Sequence, residues 1–113
     1  MKKINIVKEN EQFNNIIQNS KKQYRNKDFI LYVEKNNNNK NYRFGISVGK
    51  KIGNAVTRNK LKRQVRNIID NYKNDYEFDK DYIIIVRKNC LNRSYNEMND
   101  SFENVINQYK KGK

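Results

Sequence analysis

The sequence predicts an α+β fold, a two-layer sandwich in which three helices pack on one sheet of three to four strands. The main observation is the order of patterns along the chain, which reads helix, strand, strand, helix, strand, helix (αββαβα). The length, 113 residues, fits one domain. The hydrophobic content of 35% is low but sufficient for one modest core. We therefore expect a single domain spanning residues 1–113.

The first half of the chain predicts a short helix followed by two strands. Asn10 is a candidate N-cap. Three apolar residues share one face of the helix that it would open: Phe13, Ile16 and Ile17. Residues 28–35 are rich in β formers, and apolar residues alternate along 42–49. The Asn-rich tract between these segments indicates a turn, so we expect the two strands to pair as an antiparallel hairpin.

The second half predicts a long helix, a strand and a final helix. Asn54 is a candidate N-cap for a helix that runs to about residue 73. Residues 82–87 are apolar on both faces, which suits a central, covered strand. Residues 94–97 have the form of a capping box. The helix after it carries an apolar stripe of Tyr95, Met98, Phe102, Val105, Ile106 and Tyr109.

Composition excludes several functional classes. The sequence has no His and one cysteine, Cys90, so Ser-His-Asp catalysis, Cys-His catalysis and zinc sites of the usual spacing are excluded. The longest apolar run, 82–86, is far shorter than the ~20 residues of a membrane span. A single cysteine also suits a reducing compartment. We therefore expect a cytoplasmic protein without a membrane partner, in which Cys90 is a small buried hydrophobe.

The net charge of +13 is concentrated in one third of the chain. Residues 35–69 contain ten Lys or Arg and no acidic residue, whereas the other 78 residues have a balance of only +3. Such crowding of like charges is unfavourable unless a polyanion relieves it. A solvated surface that aids solubility is the alternative. Because the block contains a predicted helix, we favour nucleic-acid binding.

One flank of that helix is cationic. With Arg58 at the reference angle of a helical wheel, the apolar residues of 61–72 occupy one narrow arc that faces the core. The adjacent flank carries Asn59, Lys62, Arg63 and Arg66, with Arg58 at its edge. Lys60 faces away from this group. Like charges at i,i+4 cost ~0.2–0.5 kcal/mol per pair, which a phosphate backbone would convert into favourable contacts.

The same segment, residues 50–66, resembles the signature of the bacterial ribonuclease P protein subunit family. The family pattern is Arg-Asn-Arg, one residue, Lys-Arg, two residues, Arg. It is matched from Arg58 to Arg66 except that Lys60 replaces the second Arg. The resemblance continues through 29–32, 45–48 and 81–88 and covers nearly the whole chain.

The resemblance implies a non-catalytic RNA-binding subunit of an RNA-based endonuclease. In this family the RNA subunit uses magnesium to remove the 5′ leader of precursor tRNA, so the expected partners are ribonuclease P RNA and precursor tRNA. It implies no catalytic residue, no metal site and no tightly bound cofactor on the protein, and no small-molecule substrate. It also implies a mixed sheet with a left-handed crossover between parallel strands, although the general rule favours a right-handed one.

The resemblance further implies two RNA-binding surfaces. The surface for the catalytic RNA comprises Lys50, Lys51, Asn54, Arg58, Asn59, Lys60, Lys62, Arg63 and Arg66. The cleft for the single-stranded leader comprises Phe13, Ile17, Tyr32 and Ser47. An aromatic platform with small polar groups suits unpaired bases. The family often has a second aromatic residue where Ile17 stands, so stacking is expected to be weaker here.

Three alternatives remain open from the sequence. Phe13 and Ile17 also fit ordinary core positions. A general RNA-binding module, such as a ribosome-associated protein, would have the same architecture and charge. A self-sufficient nuclease ranks last because the chain lacks His and its carboxylates lie outside the basic block.

Overall fold

The computed structural model describes residues 11–20, 22–37 and 40–112, with the backbone alone described for 11–13. The helices are α1 (Glu11–Asn19), α2 (Ala55–Asp70) and α3 (Tyr95–Lys111). The strands are β1 (Gln23–Arg25), β2 (Phe29–Lys35), β3 (Arg43–Val48) and β4 (Lys80–Val86). Short 3-10 turns span Lys50–Ile52, Lys73–Asp75 and Lys88–Asn92. The predicted α+β class and element order are confirmed, and β1 supplies a short fourth strand.

The strands form one mixed sheet in the order β1-β2-β4-β3. β4 pairs antiparallel with β2, where Ile83 lies opposite Tyr32, and parallel with β3, where Ile85 lies opposite Ser47. The predicted hairpin of β2 and β3 is therefore wrong, because β4 lies between them. β4 is apolar on both faces, and a central position in the sheet buries both of them. Helix α2 connects the parallel strands β3 and β4; the left hand of this crossover stays a prediction.

The core lies between the sheet and the helices α2 and α3. The apolar arc of α2 and the apolar stripe of α3 pack against the inward residues of β2, β3 and β4. Phe44 and Tyr82 stack with ring centroids 4.9 Å apart in the middle of this layer. Helix α1 packs on the opposite face of the sheet, where Ile16 contacts Ile83. Within the described residues, no helix combines the length and apolarity that crossing a bilayer requires.

The helix ends follow the predicted signals. The Asn54 side chain accepts a hydrogen bond from the Thr57 backbone N–H at 2.9 Å, so the N-cap of α2 is confirmed. Ser94 and Glu97 form the predicted capping box of α3. Helix α2 ends at Asp70, three residues earlier than predicted. Asn10, the candidate cap of α1, lies outside the described residues.

A buried carboxylate joins the start of β2 to the segment after β4. Asp28 accepts hydrogen bonds from the Asn89 amide at 2.6 Å and from Arg93 Nε at 3.3 Å. Burial raises the pKa of Asp28, but hydrogen bonds from Ser101, Asn89 and Arg93 outweigh it, so the net pKa is lowered. Cys90 is buried beside this group as predicted, its thiol donates to the Asp28 carbonyl, and burial raises its pKa to about 12.

Replacing Asp28 by Asn is expected to lower the free energy of unfolding by about 1–3 kcal/mol at neutral pH, because ionic hydrogen bonds are lost. Because the pKa of Asp28 is lower in the folded state, its ionised carboxylate stabilises the fold at pH values above the ordinary carboxyl pKa. This stabilisation disappears as the pH falls through the pKa that Asp28 has in the folded protein. Urea unfolding of both proteins at about pH 7 and about pH 3 should therefore show a difference that shrinks in acid. An equal difference at both pH values would contradict a role for the charge.

Candidate nucleic-acid interface

One side of α2 presents four cations and one amide, here named the cationic flank: Arg58, Asn59, Lys62, Arg63 and Arg66. Leu61, Val65 and their apolar neighbours are buried against the sheet, which fixes the rotation of the helix. As a result, Asn59, Arg63 and Arg66 are exposed, whereas Arg58 and Lys62 are half-buried at the edge. The predicted grouping on one flank is thus present in the fold.

The cations of α2 have no carboxylate partners in the part of the chain that the structure describes. Across residues 11–20, 22–37 and 40–112, no ion pair involves Arg58, Lys60, Lys62, Arg63 or Arg66. The first turn of the helix contains no acidic residue. The Nε of Arg58 is buried and finds no hydrogen-bond acceptor among the described atoms. Among the described residues nothing neutralises this surface, so solvent ions or a bound polyanion would compensate its charge there.

Two lysines extend this surface past the start of α2. Lys50 and Lys51 lie in the 3-10 turn that packs against the helix, and both are exposed. Asn54 is exposed between them and the helix, and its side-chain oxygen Oδ1 accepts the cap hydrogen bond. Lys60 is exposed on the other side of α2, away from the cationic flank. The predicted residues around α2 are thus near one another, but Lys60 belongs to a separate face.

Arg43 belongs to the acid-free block of the sequence, yet it is not part of this cationic surface. Its guanidinium donates two hydrogen bonds to the Asp81 carboxylate, at 2.8 and 2.7 Å, across the pair β3 and β4. These hydrogen bonds raise the pKa of Arg43 further. Counting charges along the chain could not find this pair, because Asp81 lies 38 residues away.

The candidate cleft lies between α1 and the sheet face opposite the main core. Tyr32 of β2 and Ser47 of β3 lie on this face, on strands that β4 separates by roughly 10 Å. Ile17, on α1, packs against the small cluster of Ile16 and Ile83. All three predicted residues, Ile17, Tyr32 and Ser47, are half-buried, as expected for the walls of a groove. The side chain of Phe13, the fourth predicted residue, lies outside the described residues.

Acidic and thiol groups are dispersed over the described part of the chain. No three of its Cys, Asp and Glu side chains lie close enough together to hold a metal ion. The polar and aromatic groups described on the two surfaces are cations, amides, a hydroxyl and an aromatic ring.

Comparison with known proteins identifies the family. The sequence model described as Ribonuclease P matches residues 1–110. The ribonuclease P protein component of Macrococcus caseolyticus is 44% identical over 106 residues, covering 94% of this chain and 90% of that protein. The component from Bacillus cereus strain ATCC 10987 is 39% identical over 106 residues, covering 94% and 91%.

Solved structures agree with the sequence comparison. The RNase P protein of Staphylococcus aureus superposes with a TM-score of 0.85 at 33% identity, covering 94% of this chain and 95% of that one. The RNase P protein from Thermotoga maritima superposes with a TM-score of 0.78 at 27% identity, covering 90% and 94%. The range matched by the sequence model, 1–110, includes the whole sheet and both candidate surfaces. The chain therefore belongs to the ribonuclease P protein family.

Proposed function

We propose that this chain is the non-catalytic protein subunit of ribonuclease P. In this proposal it binds the catalytic RNA through α2 and the single-stranded 5′ leader of precursor tRNA in the cleft. It thereby promotes magnesium-dependent removal of the leader. The observation that carries the proposal is the cationic flank, whose charges have no carboxylate partner in the described residues.

Electrostatics supports RNA as the ligand of α2. Lys62 lies four residues from both Arg58 and Arg66, so like charges repel along the flank. A phosphate backbone would replace each repulsion with a charge-assisted hydrogen bond and would release counterions. Arginine forks also match the geometry of phosphate oxygens. Bound RNA would therefore stabilise α2, because its phosphates would relieve the repulsion among the cations of the helix.

The geometry of the cleft supports a single-stranded ligand. Tyr32 offers a ring and Ser47 a hydroxyl on one sheet face, with the half-buried Ile85 of β4 on the same face between their strands. Unpaired bases bind by stacking and edge contacts, which such a surface provides, whereas a duplex would not enter a groove walled by α1. We accordingly assign the leader to this cleft.

The proposal places the chemistry on the RNA. The protein would contribute binding energy and position, and magnesium would be held by the RNA subunit, so the protein itself would need no cofactor and no small-molecule substrate. We further propose that the assembly acts in the cytoplasm.

The deciding experiment adds the protein to the ribonuclease P RNA of the same genome at limiting magnesium. Cleavage of precursor tRNA with a leader of several nucleotides should increase strongly, and cleavage of a substrate with a one-nucleotide leader should increase much less. The absence of any increase would refute the proposal. Equal increases for both substrates would favour a general RNA-binding module, and cleavage by the protein without RNA would favour a self-sufficient nuclease.

Replacing Tyr32 by Ala is expected to weaken binding of a leader-bearing precursor by roughly tenfold, because one stacked base contributes ~1–3 kcal/mol. Binding of the catalytic RNA should stay within about twofold, because Tyr32 lies on the sheet face opposite α2. Fluorescence titrations with each RNA measure both affinities. The matched control is Tyr32→Phe, which keeps the ring and should behave like the wild type. Normal precursor binding by Tyr32→Ala would remove Tyr32 from the leader site.

A further inference from the structure

A second pocket lies on the side of α2 that faces away from the cationic flank. It has a volume of about 240 Å³ and lies between the first three turns of the helix and the 3-10 turn Lys88–Asn92. We name it the α2 pocket. The side chains that define it are Val56, Lys60, Leu61, Gln64, Cys90 and Leu91. An apolar cavity of about 150 Å³ already holds benzene, so this volume accommodates one nucleobase.

The mouth of the α2 pocket is apolar and exposed to solvent. Val56 is 78% exposed and Leu91 is 40% exposed. These are two of the three large apolar side chains exposed in the described part of the chain, and they meet at one pocket. Leu61 and Cys90 supply a buried apolar floor. Exposed apolar groups that converge on a concave site indicate a ligand with an apolar surface.

Polar groups at the rim indicate an anionic ligand. Lys60 is exposed and has no ion-pair partner among the described residues. Arg93 also lines the pocket, but its guanidinium is engaged by Asp28 at 3.3 Å and Glu97 at 3.6 Å. The half-buried Gln64 amide provides both a donor and an acceptor at the wall. A pocket with an apolar floor, an amide at its wall and Lys60 at its rim matches a nucleobase with its phosphate.

The α2 pocket is continuous with the RNA surface proposed above. Val56, Lys60 and Gln64 follow one another at i,i+4 along this side of α2. Arg63, at the edge of the cationic flank, is only about 20° from Val56 around the helix axis. A strand whose phosphates follow the cationic flank could therefore turn one nucleotide over the helix into the pocket.

We propose that the α2 pocket holds one unstacked base of the catalytic RNA, with the phosphate of that nucleotide on Lys60. This inference rests on the proposed binding of RNA by α2 and assigns Lys60, Val56 and Leu91 a role distinct from the cationic flank. The base lies on the apolar floor of the α2 pocket, and the Gln64 amide forms hydrogen bonds with the edge of the base.

The test compares two pocket variants with a control outside the pocket. Val56→Asn and Leu91→Ser should each weaken binding of the catalytic RNA by about tenfold, because one base contact is lost. Neither variant removes a charge, so the slope of log affinity against log salt should not change. Phe78→Ser removes the third exposed apolar side chain, which lies elsewhere, and should bind like the wild type. Wild-type affinity in both pocket variants would overturn the inference.

A direct probe uses the whole protein with nucleoside 5′-monophosphates in NMR titrations. Backbone signals of residues 56–64 and 90–91 should shift with adenosine or uridine monophosphate. They should shift much less with ribose 5-phosphate, which can contact Lys60 but carries no base. Equal shifts with ribose 5-phosphate would overturn base binding, because the site would then recognise phosphate alone. Because Val56 is largely exposed, its substitution leaves the fold intact and keeps the test decisive.

The failure of this inference is distinguishable from failure of the proposed function. If substitutions on the cationic flank weaken RNA binding and pocket substitutions do not, the function stands and the base site is refuted. If neither set weakens RNA binding, both are refuted. Lys60→Gln should weaken binding and reduce the salt slope by about 0.7–0.9, as expected for one phosphate contact.

Discussion

Replacing Lys62, Arg63 and Arg66 together by Gln is expected to weaken binding of ribonuclease P RNA by on the order of a hundredfold at about 0.15 M salt. Each residue is assigned one phosphate contact, so the slope of log affinity against log salt should fall by about 2–2.7. The helix itself should not suffer, because the substitutions remove the repulsion between like charges at i,i+4. Filter binding across a salt series measures the slope, and thermal unfolding measures stability.

A control variant that loses the same net charge distinguishes direct contacts between the cationic flank and RNA from the general attraction of a positively charged protein for RNA. Lys27, Lys73 and Lys111 are exposed cations outside the cationic flank. Replacing these three by Gln lowers the net charge equally and should change the salt slope much less. Equal effects from the two triple variants would contradict a specific RNA surface on α2. Loss of thermal stability in the flank variant would indicate a structural role instead.

Removing the ion pair of Arg43 and Asp81 is expected to lower the free energy of unfolding substantially. The carboxylate is buried, with 3% of its side chain exposed, and also accepts a hydrogen bond from the Asn36 amide at 3.0 Å. Arg43→Ala removes the guanidinium that donates two hydrogen bonds to this carboxylate and should cost about 3 kcal/mol. The total stability of a domain this size is ~5–15 kcal/mol.

The opposite substitution should cost less. Asp81→Ala leaves the Arg43 guanidinium, which is 21% exposed and can recover water contacts, so we expect about 2 kcal/mol. Urea unfolding of both single variants and the double variant gives the coupling energy of the pair. A larger loss for Asp81→Ala than for Arg43→Ala would contradict this explanation. Arg43→Ala should leave the salt slope for RNA unchanged, since its charge is neutralised within the fold.

Local signals in the sequence predicted the elements and the face of α2. A side-chain cap such as Asn54, or a box such as Ser94 with Glu97, is specified within four residues. The rotation of α2 follows from its own apolar arc, and this is why the cationic flank was predictable before any tertiary contact was known. Alternation along β2 and β3 likewise predicted that Tyr32 and Ser47 could share a sheet face.

Pairings between distant segments were not predictable in the same way. The expected hairpin assumed that strands adjacent in sequence are adjacent in the sheet, whereas β4 inserts between them. The neutralisation of Arg43 depends on the same insertion, because its partner belongs to β4. The α2 pocket was missed because Leu91 and Val56 are 35 positions apart and neither belongs to a motif. In the sequence, the feature that points to the α2 pocket is an apolar residue, Val56, that lies outside the apolar arc of the helix.

The central position of β4 has a consequence for how the molecule assembles. Both longer strands that precede β4 in synthesis hydrogen-bond to it rather than to each other, so neither can complete its pairing until residues 80–86 have left the ribosome. The contacts of β4 with β2 and β3 join residues that are far apart in the sequence, which raises the contact order. A higher contact order slows folding relative to a sheet of consecutive hairpins. Nascent chains stalled before residue 80 should therefore remain sensitive to proteases, with the lysines and arginines of the middle third accessible to any RNA nearby.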